Sequence, residues 1–327
     1  MTQIATANVA DDSKSDALKS DALADKAFGW TVSTAATIVM VLLVSATLAM
    51  LWGGRLAFQT FGWHFFINDE WDAVGKQFGA LVPIVGTLVS SAIAMLIAVP
   101  VSFGIAFFLT EIAPPWIRGP VASAIELLAG IPSIIYGMWG LFVFVPVMAD
   151  HILPWLITHL GDVPLIGALF QGPPLGIGML TAGIVLAVMI IPFISSIMRD
   201  VFRTVPTSLK ESAYALGATN WEVVWNVVLP YCRSAVVGGI FLGLGRALGE
   251  TMAVTFVLGN SHRLSLSILA PGNSIAATIA NEFTEADSDV YLSSLIALGF
   301  ILFIVTFIVL AIARLMLHNL HAKQGKA

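Results

Sequence analysis

Apolar and polar residues fall along this chain in blocks rather than in short alternation. Six apolar runs stand out, at about 30–52, 83–109, 121–147, 179–197, 236–258 and 292–316. A membrane-spanning helix needs roughly 20 consecutive apolar residues, so each run is a candidate span. The pattern predicts an all-α polytopic membrane protein with six transmembrane helices. The third run is the least regular, because Pro132 and Pro146 interrupt it. A further apolar stretch near 152–170 carries Pro154, Gly161, Pro164 and Gly167 and reads as an outer loop or re-entrant element. The first 27 residues are polar and lack the basic start and short apolar core of a cleaved signal peptide, so they read as a solvated tail.

Composition agrees with the blocks. Of the 327 residues, 58% are hydrophobic and only 11% charged, too little polar surface for a soluble domain of this size. The net charge of −5 argues against nucleic acid as a partner. The single cysteine, Cys232, excludes an internal disulfide, and no Cys/His cluster has metal-ligand spacing. Nothing points to a cofactor. Lys and Arg set the orientation. With the N-terminus inside, the inner segments hold Lys14, Lys19, Lys26, Arg118, Arg199, Arg203, Lys210, Arg233, Arg314, Lys323 and Lys326. The outer loops hold only Arg55, Lys76 and Arg263. Both termini therefore read as cytoplasmic.

The loop between spans four and five is long. Ser208 to Glu211 and Thr219 to Glu222 both fit capping boxes, with Gly217 placed to end the first short helix and Pro230 the second. Over the same stretch runs E-S-A-x3-G-x9-V-x-L-P, from Glu211 to Pro230. It resembles the signature E-A-A-x3-G-x9-I-x-L-P of the membrane subunits of binding-protein-dependent ABC importers. Glu211, Ala213, Gly217, Leu229 and Pro230 match outright; Ser212 and Val227 are mild departures. The resemblance implies that this loop docks on a separate ATPase subunit. The absence of a G-x-x-x-x-G-K-[ST] loop fits that division of labour.

Four further blocks, at 80–114, 125–146, 245–260 and 271–283, resemble the C-type membrane subunit of phosphate-specific ABC importers. The resemblance implies the type I ABC importer permease fold, a core of five spans plus one N-terminal span. It also implies four kinds of partner: a second, A-type permease, two ATP-binding subunits, a soluble periplasmic phosphate-binding protein and the bilayer of a bacterial inner membrane. On this reading the chain is a transport subunit and not an enzyme. It divides into a polar tail (1–28), a first span with its outer loop (29–80), the transport core (81–318) with a coupling loop at 200–234, and a second tail (319–327). Other readings are a permease for molybdate, sulfate or phosphonate, a scaffold reporting phosphate status, or a stand-alone channel.

Inside the fifth run, Arg246 and Glu250 are four residues apart and would share a face of a continuous helix. Glycines 239 and 243 extend that face, and glycines 238, 245 and 249 line the next, spacings that admit a close neighbour. An arginine at mid-membrane costs about 2.5–3.5 kcal/mol on insertion scales. The pair is either a structural ion pair or a lining of the substrate path, with Arg246 replacing phosphate hydration and Glu250 orienting it. Pro132 predicts a helix irregularity, which Ser133 and Tyr136 would satisfy or use to line the path. Glu126 reads equally as interfacial or functional. Asn273 or Ser274 can cap a short outer helix. The acidic residues Glu282, Glu285, Asp287 and Asp289 read as a solvated or docking face.

Overall fold

The computed structural model describes the backbone of residues 2–164 and 166–324 and the side chains of residues 25–164 and 166–316. The chain forms two units, residues 1–52 and residues 53–327. The first is the bulk of one helix, α1 (Thr2–Gly53), whose apolar part begins near Asp25 and leaves nearly all its side chains exposed. The polar segment before Asp25 continues this helix, and its side chains lie outside the described residues, as do those of the 319–327 tail.

The second unit starts with two short helices, α2 (Arg55–Phe61) and α3 (His64–Ile67), and an antiparallel hairpin. Its strands are β1 (Trp71–Asp72) and β2 (Gln77–Phe78), with Trp71 opposite Phe78. Then come α4 (Leu81–Phe107), α5 (Pro115–Ala129), α6 (Ser133–Trp139), α7 (Val145–Val147) and α8 (Leu153–Leu160). Next are α9 (Met179–Arg203), α10 (Thr207–Ala215), α11 (Asn220–Val223) and α12 (Leu229–Leu248). The chain closes with α13 (Met252–Leu258), α14 (Ile275–Glu282) and α15 (Asp289–Gln324).

The core centres on α9, which buries Leu186, Ile190, Ile194 and Met198 along one side. Small residues let its neighbours close in. Ile93 of α4 sits over Gly183, while Ile197 and Ile194 sit over Gly239 and Gly243 of α12. The 239/243 stripe is therefore the close-packing face that its spacing predicts. Ser102 of α4 donates to the Ile191 carbonyl at 3.2 Å, tying α4 to α9 beside Pro192.

Among the described residues six stretches are long and apolar enough to cross a membrane. Four of them include the predicted runs near 30–52, 83–109, 179–197 and 292–316; two differ. The third is Ser133–Leu160, not 121–147. Gly130 to Pro132 end α5, with Pro132 extended at ψ 135°, so residues 121–129 belong to a separate helix. The stretch 153–160, expected to be an outer loop or re-entrant element, instead completes the span. The fifth is Asn220–Leu248, so the second loop helix runs straight through Pro230 into the membrane instead of stopping there.

One device explains why Pro146, Pro154 and Pro230 do not break these helices. A wide π turn precedes each: 140–144, 148–152 and 224–228, and likewise 108–112 before Pro114. The residue just before each proline donates to the carbonyl five residues back: Ala113 to Phe108, Val145 to Gly140, Leu153 to Met148, Leu229 to Val224. Widening the turn relieves the crowding that a proline ring imposes on the preceding carbonyl.

Candidate functional site

The fifth run does not stay helical to its end. Helix α12 stops at Leu248, and Gly249 to Thr251 separate it from α13. Gly245 and Gly249 weaken the helix where Glu250 has a competing use. The Glu250 carboxylate accepts from the Ala253 amide at 3.2 Å, closing the first turn of α13. The shared face expected for Arg246 and Glu250 therefore does not form. Arg246 lies in the last turn of α12, exposed, with its guanidinium 5.8 Å above the Phe193 ring of α9. Among the described residues no ion pair joins it to Glu250.

A second irregularity packs against this one. Tyr136 of α6 donates to the Leu128 carbonyl at 2.8 Å, adding to the 3.2 Å bond from the Ile131 amide where Pro132 ends the helix. The predicted role of Tyr136 at this break holds. Gly137 lets α6 and α13 cross tightly: a Cβ there would lie 2.9 Å from the Met252 carbonyl oxygen. The Phe193–Arg246 contact was not legible in the sequence, although a proline-flanked aromatic within a span was a weak hint.

The long loop forms the other site. Helix α10 begins at Thr207 with Pro206 before it and no side-chain cap, so the Ser208–Glu211 capping box does not form. Pro206 is already extended at ψ 132° and starts the helix two residues early. Ser208 instead accepts, through its carbonyl, the Ser212 hydroxyl at 2.7 Å. Glu211 is exposed. Gly217 adopts φ +89°, a conformation that glycine takes without strain. The Thr219–Glu222 capping box forms as predicted, with its backbone bonds at 3.4 and 2.8 Å. Ala213 and Leu229 pack against the core, Pro230 is exposed, and Leu209, Leu216 and Trp221 present apolar surface outward.

Several charged groups that look alike in the sequence differ in place. Glu126 reaches the buried Arg199 at 2.7 Å, joining α5 to α9. Lys210 reaches Glu111 at 2.6 Å. Glu282, expected on a solvated face, instead anchors a network in which Trp71 Nε1, Tyr291 Oη and His262 Nε2 approach its carboxylate at 2.6, 2.6 and 2.7 Å. Burial opposes its charge, but the bonds from His262, Tyr291 and Trp71 prevail and hold it below the usual carboxylate range. Glu285, Asp287 and Asp289 are exposed, as expected. Ser274 caps α14 through Ala277 at 3.2 Å, and the Ile275 amide is bonded to Thr87 at 2.9 Å. That helix start is thus already occupied by protein groups.

Comparison with known proteins agrees with this architecture. Residues 98–321 match the model for "binding-protein-dependent transport system inner membrane component". The chain is 68% identical over 305 residues to the phosphate transport system permease protein PstC of Xylella fastidiosa (strain 9a5c), covering 93% of this chain and 94% of that protein. It is 40% identical over 311 residues to PstC 1 of Mycobacterium tuberculosis (strain ATCC 25618 / H37Rv), covering 89% and 92%. Among solved structures it resembles a chain of a bacterial alginate ABC transporter, with a TM-score of 0.58 at 16% identity, covering 88% and 93%. That likeness concerns the fold, the polytopic helical fold of ABC importer permeases. The chain belongs to the family of binding-protein-dependent transport system inner membrane components.

Proposed function

We propose that this chain is the permease subunit that forms half of an ATP-driven path for inorganic phosphate across a bacterial inner membrane. The observation that carries the reading is 68% identity across nearly the whole chain to a phosphate transport system permease protein. As an inner membrane transport component it moves substrate and is not itself an enzyme. Its partners are a second, A-type permease, two ATP-binding subunits and a soluble phosphate-binding protein. The 200–234 loop and both termini face the ATP-binding subunits in the cytoplasm; the Glu282 end faces the binding protein. The tail, first span and loop, core and second tail divide at residues 28, 80 and 318.

Two groups of residues take separate roles. Glu211, Ala213, Gly217, Leu229 and Pro230 form and shape the docking loop. Glu211 is free of capping duty and meets the ATPase, Ala213 and Leu229 hold the loop on the core, and Gly217 sets its turn. Arg246 and Glu250 lie on the substrate path. Arg246 carries no ion pair among the described residues, so its forked donors are available to an anion shedding its hydration. Glu250 starts α13 and places a negative charge nearby that keeps anion binding weak enough for release.

The test is co-expression followed by purification and reconstitution. A phosphate-loop ATPase and a second permease should copurify, and the vesicles should take up phosphate only with ATP. Uptake of another oxyanion in place of phosphate would overturn the substrate assignment.

A further inference from the structure

Helix α10 presents its two neighbouring charged residues to opposite environments. Glu211 is exposed, while the Lys210 side chain is only 15% exposed. Lys210 Nζ lies 2.6 Å from the carboxylate of Glu111, itself only 6% exposed, in the π turn that ends α4. The same ammonium is 3.5 Å from the Phe202 carbonyl, at the end of α9. Burial and the Glu111 charge raise the pKa of the Tyr214 hydroxyl on the same helix. One node thus joins α10 to the ends of two spans already locked together by Ile93 on Gly183 and by Ser102 on Ile191.

Stability is a poor reason for such a node. A buried ion pair often gains little over apolar groups of the same volume. What it gives is geometry, a short charge-assisted contact that neither stretches nor slides. We propose that Glu111 and Lys210 form a rigid strut through which movement of α10 is delivered to α4 and α9. They are positioning residues; neither meets phosphate nor ATP. The proposal rests on the reading of the 200–234 loop as an ATPase dock.

The experiment uses the full reconstituted complex and measures phosphate import and ATP hydrolysis in the same vesicles. Glu111→Gln and Lys210→Met should assemble and hydrolyse ATP within about twofold of the unsubstituted complex. Phosphate imported per ATP should fall about fivefold or more, within the range for residues on a coupling route. The exchanged pair Glu111→Lys/Lys210→Glu should recover most of that ratio. An unchanged ratio in the single variants, or no recovery in an assembled exchanged pair, overturns the strut. If the single variants do not assemble, the volume-matched pair Glu111→Met/Lys210→Met carries the test, and a normal ratio there overturns it. Failure of the unsubstituted complex to copurify an ATPase would instead refute the docking reading beneath the proposal.

Discussion

Arg246 and Glu250 sit close in sequence but are assigned different work by a break of three residues. Arg246 makes no ion pair among the described residues, and Glu250 starts the next helix. Their variants should therefore differ. Arg246→Gln removes the charge proposed to meet the anion and no cap. A charge-assisted hydrogen bond is worth about 1.5–3 kcal/mol, so vesicle uptake should fall at least about tenfold while the complex still copurifies. Glu250→Gln keeps an oxygen for the Ala253 amide, so helix content and assembly should stay. Uptake should still slow, because nothing offsets Arg246 and phosphate lingers; tighter retention of labelled phosphate is the measurement. Glu250→Ala should lose the cap as well, at about 1 kcal/mol by analogy with other caps. That extra loss should appear in the thermal unfolding of the detergent-solubilised chain.

At the scale of elements, the shape of the 200–234 loop depends on how its two short helices are started and stopped. Gly217 turns the chain at φ +89°, and a β-branched residue there would be strained. Gly217→Val should weaken copurification of the ATPase more than it lowers the melting temperature, because the loop is peripheral to the core. Thr219→Ala removes the one side-chain cap in the loop and should cost about 1 kcal/mol, read as a lower melting temperature. Much of this level was legible in the sequence. The Thr219–Glu222 box, the Gly217 stop, the 239/243 packing stripe and four of six spans follow from local spacing, and local spacing decides them. The Ser208 box failed because Pro206 starts α10 two residues early. The third span was misdrawn because Pro132 was carried inside it and Pro154 was read as a break, and the fifth because Pro230 was read as a helix stop. At 146, 154 and 230 a π turn absorbs the ring, and a π turn leaves no residue signature. The Lys210–Glu111 and Glu282–Trp71 contacts span 99 and 211 residues of sequence, and no local pattern encodes them.

Among the described residues, Glu282 anchors a buried polar node that responds to pH. At the end with Glu282, one carboxylate holds β1, α15 and the loop after α13 onto α14 through Trp71, Tyr291 and His262. Its pKa is lowered in the folded chain, so its contribution is full above the ordinary carboxylate range and is lost as pH falls through the lowered value. Both the desolvation that opposes its charge and the three bonds that favour it belong to the folded state; an unfolded chain has neither. Melting temperature should therefore fall as the detergent-solubilised chain is taken from neutral pH to below about pH 4, the usual carboxylate range. Glu282→Gln should melt lower than the unsubstituted chain at neutral pH, because an amide cannot accept all three bonds as a carboxylate does. The gap between the two should close in acid, where the unsubstituted chain also loses its carboxylate. A constant gap from neutral to acid would mean that the network contributes through shape and not through the ionised Glu282.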